Sequence, residues 1–177
     1  MIKRCIMVFP RFKNIDLIEE IREKYDPLAH HVPPHITLIF PFESNISGDI
    51  LREHIENVLS GIKPFSVTLK EITPSTSFGN YLFLNITESK EQIIQIHKRL
   101  YSGILKEFYP PWLNNEEFIP HLTVGNVNNI EEFNKAVEET KKIKDIFKTT
   151  VDSISVEIID KDENSIIEMD LKLNNIV

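Results

Sequence analysis

The sequence predicts an α+β fold: a bilobal pseudo-two-fold duplication with mostly antiparallel sheets, helices on the outer faces and a central cleft between the lobes. Three observations predict it. A proline-led motif occurs twice, as Pro34-His35-Ile36-Thr37-Leu38 and Pro120-His121-Leu122-Thr123-Val124. The two histidines, at positions 35 and 121 of 177 residues, lie close to half a chain apart. The hydrophobic pattern around each copy runs strand, helix, strand, helix, strand, which divides a single domain into repeats of about 1–76 and 77–177. Short-looped, alternating strands favour mostly antiparallel sheets with helices on the outer faces.

The elements follow from local patterning. Ile2 to Phe9 is a short apolar run and reads as a strand. Asn14 caps a helix to Tyr25, with Leu17, Ile18, Ile21 and Tyr25 at helical spacing. A polar, proline-bearing loop, Asp26 to Pro34, leads into the first His-Thr strand, which ends near Phe42. Ser47 starts a second helix with Ile50, Leu51, Ile55, Val58 and Leu59 as its apolar stripe; Gly61 and Pro64 stop it. Phe65, Val67 and Leu69 alternate with polar residues, a half-buried strand. Tyr81 to Ile86 opens the second half as a strand. Ser89 then caps a helix to about Phe108, with Ile93, Ile96, Leu100, Ile104 and Leu105 inward. The loop Tyr109 to Trp112 precedes the second His-Thr strand, Phe118 to Val127. Ile130 to Ile143 is a helix with Phe133, Val137 and Thr140 on one side. Two strands, Val151 to Ile159 and Ser165 to Leu173, close the chain around a turn at 161–164.

Composition bounds the function. The chain is 41% hydrophobic and 27% charged with only five glycines, which suits a compact domain rather than disorder. A net charge of −7 argues against a broad surface for duplex DNA, while leaving room for a small nucleotide or an RNA end in one pocket. The apolar run after Lys3 and Arg4 stops at Pro10, too short for an export signal, and no segment is long enough to span a membrane. Cys5 is the single cysteine, so no internal disulfide forms. Together these features point to a cytoplasmic protein. The sequence leaves the oligomeric state open.

The motif itself carries chemistry. Side chains two apart in a strand share a face, so each histidine points the same way as its threonine while Ile36, Leu38, Leu122 and Val124 point to the apolar side. Two such strands facing one another supply two proton carriers and two hydroxyl donors. Cleavage of a phosphodiester needs a proton removed from the attacking oxygen and one given to the leaving oxygen, and imidazole does either near neutral pH. Thr37 and Thr123 are placed to bind the non-bridging oxygens, and Gly125 allows close approach of a ligand to backbone N–H groups. No metal or cofactor is needed for this chemistry. One His-x-Thr in a strand is weak; two in matching context argue for catalysis over coincidence.

These paired segments resemble the H-x-T-x motifs of the two-histidine (2H) phosphoesterase superfamily, which includes 2′-5′ RNA ligase-like proteins and cyclic phosphodiesterases. Lys24-Tyr25-Asp26-Pro27 with Pro33-Pro34-His35 is similar to a Gram-positive branch of that group. The resemblance covers the chain end to end. It implies a bilobal, metal-independent enzyme acting on a 2′,3′-cyclic phosphate or a 2′-5′-linked nucleotide or RNA terminus, with His35 as proton donor and His121 as proton acceptor. The chain departs from RNA ligase-like members at Asn126, where they often carry Arg, so a phosphate-neutralising cation is missing there. A binding module without turnover and RNA 2′-5′ end-joining are the rival readings.

Other residues are secondary candidates. His54 and His97 fall on helices near apolar stripes and read as packing or rim residues, and His30 and His31 as parts of a solvated loop. None shows metal-ligand spacing, and one cysteine does not make a structural zinc site. Among Phe40, Phe42, Phe78, Tyr81 and Trp112, the last is best placed to stack on a base.

Overall fold

A computed structural model describes residues 1–173, so the end of the second predicted repeat, 174–177, lies outside the described residues. The first half runs β1 (Ile2–Val8), α1 (Ile15–Tyr25), β2 (Ile36–Ser44), α2 (Gly48–Leu59) and β3 (Phe65–Ser75). The second runs β4 (Tyr81–Glu88), α3 (Lys90–Leu100), β5 (His121–Asn126), α4 (Ile130–Thr140) and β6 (Phe147–Val151), followed by β7 (Ser153–Ile159) and β8 (Ser165–Lys172). The duplicated element order is therefore present. The eight strands form one antiparallel sheet in the order β6-β3-β4-β5-β2-β1-β7-β8.

The join at the centre of this sheet is thin. β2 and β5 share a single paired position, Ile36 with Leu122. On either side stand four strands, and each side mixes the two halves of the chain: β3 and then β6 extend the sheet outward from β4, while β7 and then β8 extend it outward from β1. The lobes are thus interleaved rather than split near residue 76. The helices cross over as well, α1 packing beneath β5 and α3 beneath β2. This exchange ties the lobes together where the strand pairing is weakest.

Alternation is the cause of the layering. Ile36, Leu38, Leu122 and Val124 are fully buried on the helix side. Burial of each contributes about 1.5–3 kcal/mol, which pins the register of the motif strands. Gly125 permits close packing here, because a Cβ at that position would come within 3.0 Å of both the Tyr25 Cβ and the Leu82 Cδ1.

Several sequence expectations are corrected. The long helix from Ser89 ends at Leu100; Gly103, at φ +50°, turns the chain into a 3₁₀ segment, Gly103–Phe108, and a second one occupies Pro111–Asn115. Ser89 sits in the left-handed region and makes no side-chain cap, and Asn14 instead donates from Nδ2 to the Ile146 carbonyl at 3.3 Å. Ser47 does cap α2, accepting from the Ile50 amide. The strand expected over Val151–Ile159 is interrupted at Asp152, where the chain passes from one edge lobe to the other. The second motif strand starts at His121, since Pro120 has no N–H to enter a ladder. The last helix stops at Thr140. Leu17 and Ile50 are exposed rather than inward. Among the described residues no helix is long and apolar enough to cross a membrane.

Candidate active site

The single β2–β5 rung assembles the site. With Ile36 opposite Leu122 in antiparallel pairing, the adjacent positions set His35 across from Thr123 and Thr37 across from His121. All four side chains lie on the face opposite the buried Ile36 and Leu122. Two segments far apart in sequence therefore meet in one patch, each histidine beside the other motif's threonine. The register brings the two rings to one face, and the charge of His35 adds to the lowering of the His121 pKa.

Each imidazole is held in the same way. His35 Nδ1 lies 2.9 Å from the Pro33 carbonyl, and His121 Nδ1 lies 2.7 Å from the Ile119 carbonyl. A carbonyl can only accept, so Nδ1 carries the proton in both rings and Nε2 keeps the free lone pair. The prolines matter here. In each motif the chain before the histidine is extended by a following proline, and that turns a carbonyl two residues upstream towards the ring.

The environments of the rings differ. Both are half-buried, and desolvation is the main cause that lowers each pKa. For His121 it acts with the nearby His35 to push the value down to about 4, against the hydrogen bond to Ile119. For His35 the Pro33 carbonyl and the Asp26 carboxylate partly oppose desolvation, and Arg22 adds to it. His35 thus has a carboxylate, Asp26, that favours its cation. Phe83 stacks on His121 with centroids 3.6 Å apart and planes at 23°, while Phe9 meets His35 edge-on at 6.3 Å. Tyr81 stacks behind Phe83 at 5.7 Å.

Arg22 holds the approach to His35. It is 1% exposed and donates to Asp26 at 2.8 Å, to the Val32 carbonyl at 2.8 Å, to the Leu28 carbonyl at 3.2 Å and to Glu19 at 3.4 Å. That network fixes the loop that delivers Pro33 and the first motif. Neither Arg22 nor Phe83 was singled out by the sequence reading. Tyr81 to Ile86 reads as a strand in the sequence, but which strand it pairs with is not local information.

The remaining candidates sort cleanly. His97 is buried, its Nδ1 2.7 Å from the Leu38 carbonyl and its ring stacked on Phe118 at 3.7 Å, so it supports β2 from the helix side. His54 bonds the Leu100 carbonyl at 3.2 Å. His30 pairs with Glu23 on the surface, and His31 bonds Asn164 at 3.0 Å. Phe42 is buried against Phe108 and is not available to a ligand. Tyr81 belongs to the ring ladder on His121. Phe40 is half-buried and packs on Trp112 at 4.9 Å. Trp112 is exposed and also contacts exposed Phe78 at 5.2 Å. Cys5 is buried, with its thiol donating to the Ile39 carbonyl. Among the described residues no three His, Cys, Asp or Glu side chains gather into a metal-holding group.

Comparison with known proteins gives the family and the fold. The sequence profile described as "2'-5' RNA ligase superfamily" matches residues 9–163. A Bacillus licheniformis protein that carries the name Putative phosphoesterase is 31% identical over 126 residues, 70% of each chain. A Bacillus pumilus protein of the same name is 28% identical over 155 residues, 85% of each chain. Among solved structures, TT0787 of Thermus thermophilus superposes with a TM-score of 0.68 at 14% identity, covering 97% of both chains. E. coli LigT complexed with 3′-AMP superposes with a TM-score of 0.58 at 14% identity, covering 98% of this chain and 99% of that one.

Proposed function

The chain belongs to the 2′-5′ RNA ligase superfamily, and we propose that within it this protein is a metal-independent phosphoesterase that hydrolyses a cyclic or 2′-5′ phosphodiester of a nucleotide or RNA end. One observation carries the reading: two distant His-x-Thr segments converge on neighbouring strands with both imidazoles and both threonines on one face. The LigT structures with 3′-AMP, NADP+ and ATP support a nucleotide-sized ligand for this fold.

In this proposal His121 is the proton acceptor and His35 the donor. His121, held neutral near pH 7, takes a proton from water through Nε2 as the water oxygen attacks phosphorus. The bond from phosphorus to the leaving ribose oxygen breaks on the opposite side, and His35 gives that oxygen its proton. His35 must be charged for this, and a phosphate anion beside it favours the cation, with Asp26 acting in the same direction. Thr37 and Thr123 donate to the non-bridging oxygens, where charge develops in the transition state. The product is a phosphomonoester, and the two histidines exchange a proton through solvent to reset. The buried Cys5 thiol and the absence of a second cysteine suit a reducing cytoplasm.

One observation favours a second reading, a phosphate-binding module without turnover: both imidazoles are biased towards the neutral form. The two are separated by incubating EDTA-treated protein with 2′,3′-cyclic nucleotides, cyclic-phosphate-ended RNA and a 2′-5′ dinucleotide. Hydrolysis that His35→Ala and His121→Ala each abolish supports the enzyme. Binding without product, unchanged when either histidine becomes Gln, supports the module.

A further inference from the structure

Resting on the hydrolytic reading above, we propose that this site selects small phosphodiesters carrying a single negative charge, in preference to the ends of long RNA, and holds the doubly charged monoester product weakly.

The strand register shows what surrounds the phosphate position. On β1, Met7 lies beside Thr37, and Phe9 meets the His35 ring. On β4, Asn85 pairs with His121 and Phe83 with Thr123. Thr73 of β3 continues the row beyond Phe83, and Asn126 ends the β5 face opposite Tyr81. Every one of these neighbours is uncharged. Beyond Met7, β7 adds Ser155, then the buried Glu157 next to Cys5.

The charges that reach the histidines agree with this. The charge of His35 lowers the pKa of His121, and at His35 the Arg22 charge lowers the pKa while Asp26 raises it. Arg22 is buried and its guanidinium is committed to Asp26, Glu19 and two carbonyls, so it cannot swing to a ligand. On the two strands that flank the motif strands, no lysine or other arginine pairs with a site residue. The donors left are two neutral hydroxyls, the backbone and one imidazolium.

That set matches one negative charge. A cyclic or acyclic phosphodiester carries one at neutral pH, whereas a monoester, with a second pKa near 6, carries close to two. A second charge without a cation in a half-buried site is unfavourable. Hydrolysis therefore converts a ligand that fits into one that does not, which favours release. A long RNA adds phosphates that need basic residues, and the net charge of −7 repels them.

The test compares ligands that differ in charge or length. For the wild-type protein, the inhibition constant of a nucleoside 3′-monophosphate should exceed the KM of the matching 2′,3′-cyclic nucleotide by about tenfold or more. The singly charged nucleoside 3′-(methyl phosphate) should bind like the cyclic compound. A cyclic-phosphate-ended decamer should give a kcat/KM no higher than the cyclic mononucleotide, with no steep salt dependence. Asn126→Arg, which sets a cation at the end of the β5 face, should tighten the monophosphate about tenfold while changing the cyclic nucleotide less. A monophosphate that binds more tightly than the singly charged ester, or a decamer that is strongly preferred, overturns the proposal. If no diester is turned over, calorimetry with the methyl phosphate and the monophosphate still decides the charge preference, and only the hydrolytic reading falls.

Discussion

Ile36 sits opposite Leu122 in the one rung that joins the two lobes, and that rung places each motif histidine beside the other motif's threonine. The site is therefore a property of the join, not of either lobe. Replacing His35 or His121 with Ala should lower hydrolysis of a cyclic nucleotide by about 10² to 10⁴-fold. Thr37→Val or Thr123→Val should lower it by about 10² to 10³-fold. Circular dichroism should not change for any of the four, since none belongs to the buried layer. Loss of activity with loss of fold would leave the motif a structural one.

The pH profile should sit on the acid side of neutrality. His121 acts as base only when neutral, and its value of about 4 puts the acid limb of kcat/KM there. His35 acts as acid only when protonated, and burial lowers its pKa below the ordinary value of about 6.5, so kcat/KM should fall as pH rises towards neutrality. The two limbs belong to a coupled pair. A profile flat from pH 5 to 9 would remove both histidines from the chemistry.

Stability should show the opposite dependence. His35, His97 and His121 all have pKa values lowered by burial, so the folded chain binds fewer protons than the unfolded chain below about pH 6.5. Their contribution is present in full above the unfolded value and is lost as pH falls from there towards the folded values. The urea midpoint should drop between pH 7.5 and pH 5, and less so in the His35→Ala/His121→Ala double variant.

Much of this fold was legible because it follows from short-range pattern. The period-two alternation of His35-Ile36-Thr37-Leu38 and of His121-Leu122-Thr123-Val124 determined which side chains would be buried, and the buried set is the expected one. The order of elements in each half followed from hydrophobic periodicity, whereas of the expected caps Asn14, Ser47 and Ser89 only Ser47 forms one. Pairing between distant strands did not. Nothing local to Phe65–Ser75 says that it flanks β4 rather than β1, so the lobes read as successive halves when they are interleaved. The same gap hid Phe83 and Asn85, which reach His121 only through the β4–β5 register. Arg22 was hidden for another reason: a charged residue on an amphipathic helix reads as solvent-facing unless the carbonyls that bury it are known.

Trp112 offers an aromatic face beside Phe40 and Phe78 and remains exposed. If it stacks on the substrate base, Trp112→Ala should raise KM for a cyclic nucleotide with little change in kcat, by about five- to a hundredfold given roughly 1–3 kcal/mol per stacked base. A cyclic phosphate without a base should be unaffected by the change. Equal effects on both substrates would assign Trp112 to packing.

Arg22 should couple stability to activity. Its guanidinium is 1% exposed, paired to Asp26, and bonded to the carbonyls of Leu28 and Val32 in the loop that ends at Pro33. Arg22→Met keeps the stem's packing but leaves Asp26 and both carbonyls without their partner. Removing one side of a buried pair costs about 3–5 kcal/mol, which a urea melt would register directly. The second consequence is specific to this place in the fold. Pro33 supplies the carbonyl that fixes the His35 tautomer, so a loosened loop should let the ring turn and lower kcat more than it raises KM. Asp26→Asn separates the two effects, because it spares the arginine's bonds to the loop while removing the carboxylate that favours charged His35. It should shift the alkaline limb of kcat/KM to lower pH. An Arg22→Met protein that is destabilised yet keeps full kcat would show that the loop positions nothing at the site.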